Sequence, residues 1–295
     1  MNTLASFTAT DTLWMLVCAC FVFFMQAGFT CYEAGLVQSK NVISVAIENI
    51  FNLTISIVLF SLVGFPMMFG ETIFSADSSA ETAFVFLQIM FAAVSVTIFA
   101  GALSERTKLA PLLVAGSVSA ALIYPLFGRL AWGSHLSGNA SWLEKLGFLD
   151  FAGASVVHMT AGFVALAGLL AVGSRSRQHT GKSNIPLAVL GVFILWFGWF
   201  GFNGGCIRPG DPALSKVFLN TCMGAAYGTP GSTLQQPASE TQWRISDFAV
   251  QRSSQRTGLH NRFVCLLQLL GRYARGIYRR DPGGSHIGAS GKTPH

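Results

Sequence analysis

Residues 149–173 read "LDFAGASVVHMTAGFVALAGLLAVG", and this stretch decides the fold class. From Phe151 to Gly173 it carries one ionisable side chain, His158. It is long enough to cross the hydrocarbon core of a bilayer, for which ~20 mostly apolar residues suffice. Charged groups inside a span cost about 2.5–3.5 kcal/mol on insertion scales, so an ionisable residue there is a functional candidate by default. Asp150 opens the same run. At a rise of ~1.5 Å and a turn of ~100° per residue, His158 lies about 12 Å along the axis and about 80° around it from Asp150. The two are therefore not a stacked pair. Asp150 reads as the cap of the helix N-terminus, where the dipole favours a carboxylate, and as an anion that draws in a cation.

The rest of the chain supports a membrane setting. Its 295 residues are 52% hydrophobic and only 11% charged, against about 25% charged in soluble domains. Phenylalanine alone supplies 25 residues, which suits lipid-facing and helix–helix surfaces. The six cysteines show no CxxC spacing, and Cys18, Cys20 and Cys31 share one hydrophobic segment. No disulfide framework or zinc site is expected from that pattern. No Lys or Arg precedes Lys40, so the first hydrophobic run lacks a basic n-region and is expected to be a retained helix.

Six stretches qualify as spans: Leu13–Leu36, Val42–Phe69, Ala83–Leu103, Leu109–Leu130, Phe151–Gly173 and Ile185–Gly204. A seventh apolar run begins at Leu214, passes through "VFLNTCMGAAYG", and ends near Gly228. The connections alternate in charge. Lys40, then Arg106 and Lys108, then Arg175, Arg177 and Lys182 mark the odd ones. Glu71, Asp77 and Glu81 mark the second; Arg129, Glu144, Lys145 and Asp150 make the fourth mixed. The positive-inside rule then predicts an N-terminus outside the cell.

The net charge of +6 is not evenly placed. Residues 1–228 hold ten Lys/Arg and ten Asp/Glu, whereas residues 229–295 hold nine and three. That second part is rich in Ser, Gln and Arg and is expected to be a disordered tail. Within it "RFVCLLQLLGRYARGIYRR" has helical spacing of Phe263, Leu266, Leu267, Leu270 and Ile277. Two readings stand, an interfacial basic helix and chance patterning.

Several residues inside the spans carry paired readings. A neutral imidazole at His158 suits a small polar solute or a passing proton; it equally suits an interhelical hydrogen bond worth about 1 kcal/mol. "LWFGWFGFNGG" alternates rings with Gly198, Gly201, Gly204 and Gly205. It reads as close helix packing through small residues, or as a ring, Phe202, closing a narrow pore. Trp132 attracts an ammonium-like cation through its ring face, or is an ordinary interfacial Trp. Glu33, Glu48, Asn49 and Asn52 are expected as interhelical hydrogen-bonding partners.

Taken in order, "MQAGFTCYEAGLVQSKNVISVAIENI", "QIMFAAVSVTIFAGALSERTKLAPLL", "LDFAGASVVHMTAG" and "LWFGWFGFNGG" resemble the ammonium transporter (Amt/MEP/Rh) family. The resemblance runs from about Thr12 to Gly228. It implies an all-α integral membrane fold of eleven helices built from two inverted repeats, assembled as a homotrimer with a pore through each subunit. Carried over by position, Trp132, Phe91 and Cys206 would form the outer site that recruits ammonium, and Asp150 the carboxylate supporting it. Phe91 and Phe202 would be the stacked rings of the pore gate, and His158 the first of two pore-lining histidines. The family often has Ser where this sequence has Cys206, a weaker donor, which puts recruitment affinity in question. Other implied partners are the lipid bilayer and a nitrogen-regulatory signalling protein. No catalytic residue, metal, cofactor or nucleic acid is implied.

The sequence departs from that pattern after Gly228, where the composition changes as if translation had shifted frame. The expected organisation is thus residues 1–228 as a partial transporter domain, comprising the first inverted repeat, the sixth helix and the start of a seventh. Residues 229–295 would be an irregular basic tail. Three functional readings follow: ammonium or ammonia transport across the cell membrane, an inactive truncated product, or a membrane ammonium sensor.

Overall fold

The structure is a computed structural model describing residues 3–173 and 184–233. Arg175, Arg177, Lys182 and the "RFVCLLQLLGRYARGIYRR" stretch lie outside the described residues. Among the described residues six helices are long and apolar enough to cross a membrane: α1 (Ala9–Leu36), α2 (Ser39–Phe69), α3 (Ser79–Leu103), α4 (Leu109–Trp132), α5 (Ala154–Val172) and α6 (Ile185–Gly204). Each overlaps a span expected from the sequence. A seventh helix, α7 (Ala213–Thr233), packs on α6 and extends five residues past Gly228. The described residues contain no strand.

The chain crosses back and forth around α3. In its most apolar window 83% of α3 is buried inside the protein, against 33–44% for the other five spans. That difference makes α3 the central element, in contact with α1, α2, α4 and α5. A helix apolar on every side belongs in such a place. The surrounding helices turn residues such as Leu13, Ile43, Ile50, Val114, Leu126 and Phe193 outward, which suits lipid and not water. Both α1 and α3 begin with a reciprocal cap. Thr8 and Asp11 exchange side-chain and backbone hydrogen bonds, and so do Ser78 and Glu81, each cap satisfying two otherwise unpaired amides.

The longest contact is α1 against α6. It depends on glycines: a Cβ on Gly191 would overlap the Tyr32 backbone nitrogen, and one on Gly35 would overlap that of Ala188. Further along, Gly198 and Gly201 face Met25, Phe21 and Cys18 of α1. The small residues of "LWFGWFGFNGG" therefore do serve close packing.

Helices α2 and α4 each contain one wide, π-type turn, at Phe60–Gly64 and Ser119–Ile123. A proline follows each, Pro66 and Pro125, whose missing N–H interrupts regular α-helical bonding. The two turns pack on each other; a Cβ on Gly64 would come within 2.6 Å of the Ala120 carbonyl and 2.9 Å of the Pro125 ring.

Hydrogen bonds collect the odd connections at one end of the bundle. Glu105 accepts from the Gln38 amide (2.9 Å) and Asn41 Nδ2 (2.7 Å), and Arg106 donates to the Gly173 carbonyl (3.0 Å). At the other end Arg129 donates to the Met67 carbonyl (2.8 Å), tying α4 to the end of α2. The alternation read from the charges is thus the alternation of the chain. Trp132, expected in the fourth connection, is instead the last residue of α4. The helix persists because the Gly133 amide still bonds the Arg129 carbonyl at 3.2 Å. Of the four polar residues expected as interhelical partners, Asn49 and Glu33 do bond, at 3.0 Å. Glu48 is half-buried, and the Asn52 amide makes no hydrogen bond to the rest of the chain.

Candidate functional site: a file of buried rings

The site starts at the N-terminus of α5. The Asp150 carboxylate accepts four backbone hydrogen bonds, from Gly153 and Ala154 on one oxygen and from Ser155 and Val156 on the other, all at 2.8–2.9 Å. The first amides of a helix have no intrahelical partner, and here one carboxylate takes four of them. Its own backbone carbonyl accepts from Trp132 Nε1 at 2.8 Å. Asp150 therefore orients the Trp132 ring through its peptide group, while its charge faces the helix end.

Gly153 makes the turn possible. Its φ is +83°, in the left-handed region that favours glycine, and a Cβ there would meet Val157 Cγ2 at 2.6 Å and Trp132 Cη2 at 3.1 Å. Beyond it α5 opens with a wide turn, Ala154–Met159, in which the amides of both Val157 and His158 bond the Gly153 carbonyl. This widening sets the direction in which His158 projects. Wide turns of this kind occur often at functional sites.

Four helices then contribute rings in contact. Trp132 lies 6.2 Å from Phe91 between ring centroids. Phe91 stacks on Phe202 at 4.3 Å and 30°. Phe202 lies 5.4 Å from His158, and His158 stacks on Trp199 at 5.8 Å and 22°. Every member is buried, from Phe202 at 0% to Trp199 at 5% exposure. The order from the Asp150 end is therefore Trp132, Phe91, Phe202, His158, Trp199. His158 Nε2 makes no hydrogen bond to the chain, so a satisfied interhelical bond through that nitrogen is not its role. The file is apolar apart from the imidazole and ends beside one free ring nitrogen, surroundings in which a charged group is costly to place.

Cys206 lies just beyond α6 and donates its thiol hydrogen to the Phe202 carbonyl at 3.5 Å. Burial, followed by the nearby Asp150 charge, pushes this thiol above its ordinary range, which keeps it protonated. The structure thus brings Trp132, Phe91, Phe202, His158, Asp150 and Cys206 into one region.

Two residues of this region were not singled out from the sequence. Trp199 sits three residues before Phe202, so helical spacing puts both on one face, a pattern that close packing explains equally well. His135 bonds the Trp132 carbonyl through Nδ1 at 2.7 Å and stacks on Phe84. Nothing in its short, polar surroundings marked it. Beside it Glu144 accepts from Ser134 Oγ (2.8 Å) and from the Ser141 amide and hydroxyl (both 2.7 Å). Burial opposes ionisation of Glu144, but the Ser141 and Ser134 bonds and the His135 charge outweigh it, and its carboxyl is held below the usual glutamate range.

Residues 13–248 match the model of the Ammonium Transporter Family. A relative from Synechocystis sp. is 43% identical over 245 residues, covering 75% of this chain and 45% of the relative. Ammonium transporter Amt2 of Archaeoglobus fulgidus is 36% identical over 243 residues, covering 74% of this chain and 52% of its own. The chain thus spans about half the length of these relatives. Among solved structures, one titled Sensor Amt Protein superposes with a TM-score of 0.78 at 36% identity, covering 90% of this chain and 73% of that one. Mep2 of Candida albicans, at 22% identity, shares the fold with a TM-score of 0.72, covering 91% of this chain and 66% of its own.

Proposed function

Because the chain belongs to the Ammonium Transporter Family, we propose that it passes ammonium or ammonia across a membrane along the file of rings from Trp132 to His158. The observation that carries this reading is the stacked Phe91–Phe202 pair leading directly to the unpartnered Nε2 of His158. Ammonium is received against the face of Trp132, where a cation gains about 0.5–2 kcal/mol, with Phe91 behind it. Phe91 and Phe202 form the gate; the ion would lose its hydration there, so it gives its proton to water at the outer mouth and neutral ammonia crosses. His158 exchanges a hydrogen bond with it on the far side. Cys206 stands at the mouth with its weak donor engaged by the Phe202 carbonyl, so recruitment by this residue is weak. The protein acts as a homotrimer in the cell membrane, with its N-terminus outside, and answers to a nitrogen-regulatory signalling protein.

Uptake of labelled methylammonium by vesicles containing the purified protein tests the reading. We expect saturable uptake that falls at least tenfold in His158→Ala and in Phe202→Ala. No uptake above protein-free vesicles would refute transport. A second reading, ammonium sensing, is favoured by the likeness to the structure titled Sensor Amt Protein. Saturable ammonium binding without uptake would select it.

A further inference from the structure

The inward face of α2 is polar. It buries Val45, Asn49, Asn52 and Ser56, with Asn49 at 4%, Asn52 at 1% and Ser56 at 0% exposure, while Ile43, Ile47, Ile50 and Phe51 face outward. A span of this kind places polar groups inside the bundle for a reason, since each unsatisfied one is costly where water is absent. Ser56 is satisfied by the Asn52 carbonyl at 2.6 Å. The others are not. Asn49 Oδ1 and both amide atoms of Asn52 make no hydrogen bond to the chain.

Glu33, in the last turn of α1, faces this surface and is itself buried at 8% exposure. One carboxylate oxygen accepts from Asn49 Nδ2 at 3.0 Å. The other lies against Gly101 of α3, where a Cβ would overlap it. Ser104 caps the end of α3 one turn beyond Gly101; its hydroxyl is buried at 3% and also makes no hydrogen bond. Residues three apart share a helix face, which sets Ser104 on the side of α3 that Gly101 turns toward Glu33. The C-terminal ends of two helices, α1 at Leu36 and α3 at Leu103, meet here, and each carries about half a negative charge. Glu48, half-buried, precedes Asn49 on α2.

We propose that Glu33, Asn49 and Ser104 form a binding site for a small monovalent cation at the junction of α1, α2 and α3, with Asn52 one turn deeper. The donors are all oxygens: a carboxylate, an amide carbonyl and a hydroxyl. That chemistry selects hard cations. The described residues hold no cluster of three or more His, Cys, Asp or Glu suited to a metal, and a single carboxylate in direct contact matches one positive charge better than two. The site is separate from the file of rings and does not depend on the transport reading.

The test is thermal unfolding of the full chain in detergent, titrated with sodium, potassium or ammonium chloride against N-methylglucamine chloride at constant ionic strength. A saturable rise in Tm with at least one of the three cations supports the site. Glu33→Gln preserves shape and its bond to Asn49, and is expected to weaken the half-saturating concentration at least tenfold. Ser104→Ala, a smaller change, should weaken it about threefold. Which salt is effective distinguishes an alkali cation from ammonium as occupant. Equal shifts with all four chlorides, or a shift that persists unchanged in both variants, would overturn the proposal. An ammonium shift abolished by Phe202→Ala but not by Glu33→Gln would do the same, because it would report the ring file instead.

Discussion

Replacing Asp150 by alanine removes the acceptor of four backbone amides at once. A single ordinary helix cap contributes about 0.5–2 kcal/mol, and a hydrogen bond to a charged group about 1.5–3 kcal/mol. The four bonds share one carboxylate and are partly buried, so they do not add fully. Taking about 1 kcal/mol for each gives a loss of about 3–5 kcal/mol. The division of the bonds sharpens the test. Each oxygen serves two amides, so Asp150→Asn retains one competent acceptor and should lose about half as much. The assay is equilibrium unfolding in mixed micelles of dodecylmaltoside and SDS, followed by helical circular dichroism. Trp132 accepts no help from the lost carboxylate, since its partner is the residue 150 peptide carbonyl. Its ring should loosen only as the α5 end frays, so methylammonium uptake should fall in step with stability across alanine and asparagine. If Asp150→Ala costs under about 1 kcal/mol, or if asparagine is as damaging as alanine, the four-bond account of α5 is wrong.

Three further outcomes can be measured in the same system. Gly153→Ala combines a positive φ with overlap of Val157 and Trp132, and should destabilise by about 2–4 kcal/mol, whereas Gly70→Ala, at φ +82° with nothing within 4 Å, should cost only about 1 kcal/mol. Gly191→Leu forces α1 from α6 at the Tyr32 backbone and is expected to prevent recovery of folded protein, as read by size-exclusion chromatography; normal yield would refute the close packing. Glu144 titrates below its ordinary value of 4.5 in the folded protein; its stabilisation is therefore complete above that value and is lost as pH falls through the lower folded value. Glu144→Gln should accordingly flatten the decline of Tm below pH ~4.5, and an unchanged acid limb would refute the role of the Ser141 and Ser134 bonds.

Most of the spans were legible because a bilayer makes length and hydropathy nearly sufficient. The expected ends agree with the helices to within a few residues, except where polar caps extend them. Thr8 and Ser78 begin α1 and α3 several residues before the apolar runs do, because a reciprocal cap stabilises a helical turn whatever its hydropathy. The wide turns in α2, α4 and α5 left no hydropathy signature at all. Two are marked by a following proline, but the one carrying His158 is set by Gly153 and Asp150, and its geometry emerges only when the four amides find their acceptor.

The grouping of Trp132, Phe91, Phe202, His158, Asp150 and Cys206 in one region was legible through resemblance, but not through spacing. The reason lies in α6, whose motif serves two neighbours. Gly198 and Gly201 press against α1, which forces the bulky residues of the same turns to other sides, and Trp199 and Phe202 thereby face His158. Close packing and the ring file, competing accounts of "LWFGWFGFNGG" at the level of spacing, are consequences of one another. Helix periodicity alone cannot show this, because it identifies a face without saying what stands opposite. His158 needed the same context: burial at 4% exposure would be ordinary for a bonded histidine, and only its unpartnered Nε2 between Phe202 and Trp199 makes it distinctive. Glycine contacts on one side and the capped end of α5 on the other fix the rings around that nitrogen, without a hydrogen bond to hold it. The stability of α5 and the unpartnered state of His158 Nε2 are therefore two results of the same arrangement at Asp150.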